Sequence, residues 1–320
     1  MPAPHRQPLP QALQQLLGQL AQLNAERLKQ GLEFTPIGMR ENLDLMTRRF
    51  VSQIPQVPLT RDTLVHGRGP GDFAVPVRIY HPDPQQALPI LVFAHGGGHM
   101  AGSVSVYDGI ARKLALASNR LLVSVDYRLS PECPYPLGLN DLKQVITGVY
   151  ATLDRLGMAH DGRLAVAGDS GGGAITASAV HQLADRTDTA IEHQVLIYPS
   201  LDYTLSSPSI DELAEGHLLE RKRIEWLFDQ YLQHAEDRYQ TSPLFMPVPI
   251  RYPRTLVVSA GYCPLRDENL AYVERLTAAG RSAQNLHFPD MIHAFLNLED
   301  LVTDACTRCY AAIGRFLNEK

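Results

Sequence analysis

Apolar positions along this chain follow two rhythms, one near the N-terminus and another from the middle onward. Leu9, Leu13, Leu16, Leu17, Leu20 and Leu23 recur at spacings of three and four, which predicts an amphipathic helix over 10–29. A second helical stretch is expected at 39–50. Two strand-like runs follow at 62–66 and 74–81, the latter (AVPVRIYH) alternating apolar and polar residues. Between them lies the turn-rich GRGPGD at 67–72, so the two strands should form an antiparallel hairpin. Beyond Pro89, short apolar runs at 90–94, 121–126, 164–168, 194–198 and 255–260 alternate with helical stretches near 105–118, 140–157, 173–186, 222–234 and 266–279. A last strand at 285–288 and a helix at 300–317 close the pattern. Strands separated by helices require right-handed crossovers, which gives a mostly parallel sheet. With the antiparallel start, the expected fold is α/β: a mixed, doubly wound sheet with helices on both faces. No internal repeat or low-complexity segment interrupts it.

Two stretches stand outside this alternation. The N-terminal helices occupy 1–55, ahead of the main domain at 56–320. The connection between Tyr198 and Thr255 is longer than one crossover helix needs, and 202–229 reads as an insertion at the C-terminal edge of the sheet. Ligands bind at that edge in open α/β sheets. The N-terminal helices and the insertion around 202–230 are therefore the candidate helical cap.

The most chemically informative stretch is RLAVAGDSGGG at 163–173. A buried strand runs into Gly168-Asp169-Ser170-Gly171-Gly172, and a helix begins at once. Strand, glycine turn with a serine at its tip, helix: this is the context that makes G-x-S-x-G a nucleophile motif. Gly168 and Gly172 leave room for strand and helix to pass closely. The Gly171 amide and the helix N-terminus add partial positive charge beside the serine.

The strand at 90–94 ends in His95-Gly96-Gly97-Gly98-His99. Three glycines after a buried strand expose backbone amides, which an oxyanion requires. Gly96-x-Gly98-x-x-Ala101, with Asp126 ending the next strand, also fits a dinucleotide fingerprint. An NAD(P)-binding oxidoreductase built on it would leave Ser170 and His293 without roles, and the fingerprint would follow the third strand rather than the first. Neither glycine cluster carries the Lys-Ser/Thr of a phosphate loop. His95 and His99 are separated by glycines that preclude a metal-binding helix. Among twelve histidines, His293 follows the last strand and precedes the last helix, on the edge where Ser170 opens. His287, inside the strand, is expected to be structural.

Composition narrows the partners. A formal charge of −5 without a long basic run argues against nucleic acid, and 45% hydrophobic residues over 320 positions support a sizeable core. No apolar stretch reaches the roughly 18 residues a membrane span needs. MPAPHRQPLPQ at the start lacks a secretory pattern, so a cytoplasmic location is expected. Cys306 and Cys309 form a CxxC inside an expected helix; without a second pair they read as small apolar residues on one face.

Four stretches together resemble the hormone-sensitive-lipase-like family of α/β-hydrolase esterases, the bacterial acetyl-esterase type in particular. They are His95-Gly-Gly-Gly98; DYRLSPE at 126–132, similar to the family's YRLAPE; GDSGG at 168–172, similar to GDSAG; and MIHAF at 291–295, similar to M-x-H-x-F. The resemblance spans nearly the whole chain. It implies an α/β-hydrolase fold with a cap, hydrolysis of small-molecule carboxylic esters with short to medium acyl chains, and no cofactor or metal. It also implies Ser170 as nucleophile, His293 as general base, and the amides of Gly97, Gly98 and Gly171 as the oxyanion hole.

One position departs from the family. Its D-P-L-x-D-E motif opens on the triad acid, whereas this chain reads Cys263-Pro-Leu-Arg-Asp267-Glu268. A neutral thiol is a weak acceptor and carries no charge to stabilise an imidazolium. Three readings follow: a substitution, natural or introduced, that cripples the triad; a Cys263 thiolate standing in for the carboxylate; or Asp267 reaching His293 instead. The first is preferred. A binding protein on a hydrolase scaffold is the alternative from another class.

Overall fold

The computed structural model describes residues 6–67 and 73–319. One eight-stranded sheet organises them, with strands in the order β1-β2-β4-β3-β5-β6-β7-β8. The strands are β1 Leu59–Val65, β2 Val75–His81, β3 Leu88–Ala94, β4 Leu121–Val125, β5 His160–Asp169, β6 Ile191–Ile197, β7 Arg254–Tyr262 and β8 Ala283–Ile292. β2 runs antiparallel to both β1 and β4, and every other pairing is parallel. The expected hairpin pairing is present, while most of its turn, 68–72, lies outside the described residues.

β3 and β4 are buried along their whole length, which is why they read as continuous apolar runs rather than alternating ones. Two helix pairs, α3 Asp108–Ser118 with α10 Thr303–Asn318 and α4 Leu137–Arg155 with α5 Ser170–Leu183, cover the two faces. α9 (Arg266–Ala278) lies over β7 and β8.

The N-terminal helices are α1 Gln11–Lys29 and α2 Pro36–Phe50. α2 begins three residues before the expected 39. Thr35 caps it, its Oγ1 accepting the Gly38 N–H at 3.1 Å, and Pro36 fills the first turn, where its missing N–H costs nothing. β8 extends beyond the expected 285–288, because its pairing with β7 continues to Tyr262↔Ile292. The long connection after β6 contains α6 Pro208–Glu212, α7 Arg221–Tyr231 and α8 Arg238–Thr241. Two of these are too short to leave a periodic signal. A 3₁₀ segment, Phe295–Leu301, precedes α10, which starts at Thr303 rather than 300.

Candidate active site

Ser170 sits where β5 passes directly into α5. Its φ of 52° lies in the left-handed region, sparsely populated for a residue with a side chain, and the serine is held there by the elements on either side. The turn is tight enough to require its glycines. A Cβ on Gly172 would fall 2.2 Å from the Ala94 carbonyl oxygen, and one on Gly168 would fall 2.4 Å from that of Gly172.

The glycines after β3 approach the same point. Gly97 and Gly98 have φ of 125° and 62°, so both use conformations that favour glycine. A Cβ on Gly171 would lie 2.9 Å from the His99 nitrogen and 3.2 Å from that of Gly98. The two glycine turns, distant in sequence, therefore meet edge to edge, and the Gly98 and Gly171 backbones are neighbours. At 171 the family motif has alanine, and a Cβ there would press on the His99 nitrogen.

His293 follows β8 and is 5% exposed. Its Nε2 lies 2.9 Å from Ser170 Oγ, and its Nδ1 lies 3.2 Å from Cys263 Sγ. The Tyr198 ring packs against the imidazole with centroids 5.0 Å apart. Cys263, at the end of β7, is fully buried. Burial pushes its thiol well above the ordinary cysteine range, so the group facing His293 is a neutral S–H. Burial likewise pushes His293 down to about 3, with no neighbouring charge opposing it.

Two of the readings for the missing acid lose support here. The thiolate is disfavoured because burial outweighs the Leu265 amide and the Arg266 charge, which alone favour it. Asp267 is engaged elsewhere, while His293 Nδ1 faces Cys263. Asp267 Oδ1 accepts from Arg266 Nε at 2.7 Å, and its amide donates to Ser209 Oγ at 3.0 Å. Arg266, fully buried, also reaches Glu212 Oε2 at 2.6 Å, so Asp267 belongs to an ion-pair network under α6. His287 is bonded within the sheet, Nδ1 to Ser259 Oγ at 2.8 Å.

A cavity of about 660 Å³ opens over Ser170 and His293. α1 and α2 supply one wall through Leu16, Leu20, Leu43 and Met46, and the connection after β6 supplies another through Leu218 and Leu227. The leucine stripe of α1 is thus divided, with Leu13 in the core and Leu16, Leu17, Leu20 and Leu23 lining the cavity. Arg40 on α2 fastens this cover to the loop beyond the glycines. It donates to Met100 O at 3.0 Å, to Ser130 O at 3.1 Å and to both Glu132 oxygens at 2.9 and 2.6 Å. The guanidinium holds the Glu132 carboxyl down at about 2.

A family profile described as alpha/beta hydrolase fold matches residues 91–297, which spans both glycine turns, Cys263 and His293. The chain belongs to the hormone-sensitive-lipase-like α/β-hydrolases. Within that family it is 34% identical over 256 residues to the carboxylesterase NlhH of Mycobacterium tuberculosis, covering 76% of this chain and 79% of that one. It is 32% identical to the ethyl acetate hydrolase of Pseudomonas putida, covering 72% and 74%. Among solved structures, the hyperthermophilic esterase of the archaeon Pyrobaculum calidifontis superposes with a TM-score of 0.83 at 29% identity, covering 97% of this chain and 98% of that one. Among the described residues no helix is long and apolar enough to cross a membrane.

Sequence reasoning missed several residues now seen at the site. Arg40, Leu227 and Tyr198 carry no local signature, since each acts through contacts with elements far away in sequence. Asp169 stood inside the nucleophile motif but had no role assigned.

Proposed function

We propose that this chain hydrolyses carboxylic esters through Ser170, His293 and an oxyanion hole of the Gly97, Gly98 and Gly171 amides, at a rate limited by the neutral thiol at Cys263. The observation carrying this reading is the 2.9 Å contact between Ser170 Oγ and His293 Nε2 at the floor of an apolar cavity. The serine proton passes to His293 Nε2 as Oγ attacks the ester carbonyl carbon. Negative charge develops on the carbonyl oxygen against the three amides. The C–O bond breaks, the alcohol leaves with the proton from His293, and water attacks the acyl-serine by the same route in reverse. No cofactor enters this sequence, and the helical cover formed by 1–55 and 202–230 acts as the cap.

Covalent labelling tests the nucleophile without requiring turnover. A fluorophosphonate probe is expected to label the native chain stoichiometrically, though slowly, and to leave the Ser170→Ala variant unlabelled. Equal labelling of both would sink the assignment. No labelling of either would favour the binding-protein reading.

The cavity also makes a statement about the acyl group. Its apolar walls reward each methylene they cover by about 0.8 kcal/mol, or roughly fourfold in kcat/KM. With p-nitrophenyl esters, kcat/KM is expected to climb from acetate through butyrate to hexanoate and then to fall at long chains. A profile flat from acetate to palmitate would show that the apolar walls do not contact the acyl chain.

A further inference from the structure

Asp169 is a buried carboxyl, 2% exposed, that the mechanism above does not use. It immediately precedes Ser170 and lines the same cavity. Its Oδ1 accepts the Gly96 N–H at 2.6 Å, and its Oδ2 accepts the Tyr107 hydroxyl at 3.1 Å. The packing is close: a Cβ on Gly96 would lie 2.4 Å from Oδ2. One side chain thus ties the nucleophile turn to the first glycine of the facing loop, and that loop supplies the Gly97 and Gly98 amides. We propose that Asp169 is a positioning residue whose carboxylate locks the glycine loop against the Ser170 turn, and that its protonation, not that of His293, sets the acid limb of the pH–rate profile. This rests on the reading of Ser170 as nucleophile.

The chemistry runs as follows. A carboxylate accepts two bonds, and the one to Gly96 is short and charge-assisted, roughly twice as strong as a neutral one. Protonation removes that charge and turns one oxygen into a donor, so the loop loses its firm anchor where the amides must be pre-set. Burial raises the Asp169 carboxyl to about 7, against the opposing pull of its bonds to Tyr107 and Gly96. The groups around it do not supply a competing charge. Tyr107 before α3, Tyr127 after β4, Tyr198 after β6 and Tyr310 on α10 are buried phenols held neutral, each raised well above the ordinary range. His95 after β3 is buried and shifted down; the Asp126 carboxylate is felt at His95 and Tyr127. His293 sits at about 3 and stays neutral throughout the working range. In a serine hydrolase with a carboxylate in the triad, the histidine would dominate this limb. Here the neutral thiol leaves it to Asp169. The sign follows: rising pH ionises Asp169 through about 7, fastens the loop and increases kcat.

The test is kcat and KM for p-nitrophenyl butyrate between pH 5 and pH 9 with the full native chain, Asp169→Asn and Tyr107→Phe. The native chain should show a single acid limb near 7 in kcat, with KM nearly level. Asparagine is neutral and carries a donor, like the protonated acid, and cannot titrate, so Asp169→Asn should show no limb in this range and should hold kcat near the native chain's low-pH level even at pH 9. Removing the Tyr107 donor should move the limb upward by about half a pH unit or more, since a bond to the charged form is lost. A limb that stays near 7 in Asp169→Asn, or that does not move in Tyr107→Phe, overturns the proposal. Ser170→Ala run alongside separates the two layers: undiminished activity there overturns the nucleophile reading itself, whereas a Ser170→Ala variant at the expected floor with an unmoved limb overturns only the role of Asp169.

Discussion

Replacing Cys263 with aspartate is expected to raise kcat by about three to four orders of magnitude, the scale on which serine proteases lose activity when their triad acid becomes neutral. The position is already built for a carboxylate. Cys263 Sγ stands 3.2 Å from His293 Nδ1, and the Leu265 amide donates toward the same atom. An aspartate there would gain both donors without repacking, being close to cysteine in size. Two effects then act together. The charge would stabilise the imidazolium that forms when His293 takes the serine proton, and His293 would rise from about 3 toward neutrality. The second effect is tautomeric. A carboxylate only accepts, so Nδ1 must carry the proton and Nε2 is free to take the one from Ser170. A thiol can donate to Nδ1, which permits the opposite tautomer, with Nε2–H pointing at Oγ and unable to act as base. The measurement is kcat for p-nitrophenyl butyrate at pH 8 for both chains. An unchanged kcat would mean that another group already serves as the acid and that the geometry around His293 has been misread.

What could be read from the sequence, and what could not, divides along one physical line. Ser170 and His293 were legible because each sits at a strand end whose local pattern announces it. The parallel sheet was legible because buried strands such as β3 are continuous apolar runs. Asp169 was in view throughout, but its partners Gly96 and Tyr107 are 73 and 62 residues away, and no local rule connects them. The same holds for Arg40, which reaches Glu132 across 92 residues. The leucine periodicity of α1 indicated a helix but not whether its stripe met core or cavity, because both demand the same residues. The fate of Cys263 also depended on tertiary information. Sequence left open a thiolate or a shift to Asp267; burial disfavours the first, and the Arg266 network engages Asp267 elsewhere.

Ser170→Ala should have two very different effects depending on residue 263. In enzymes of this type the triad acts as a unit: losing the serine alone costs about as much as losing all three members, on the order of 10⁶ in kcat, while losing the acid alone costs about 10⁴. If the native chain has already lost the acid's share, only the remainder is left for the serine. Ser170→Ala in the native chain should therefore lower kcat by roughly 10², and in the Cys263→Asp background by roughly 10⁶, both reaching the same floor set by the amides and the cavity. The cycle measures a coupling between residues 170 and 263, which touch only through His293 at 2.9 and 3.2 Å. It needs single-turnover kinetics on highly purified protein, because a trace of contaminating esterase would mask the floor. Equal losses in the two backgrounds would mean that residues 170 and 263 act independently. His293 would then not be the link between them, and the constellation described here would not be the catalytic one.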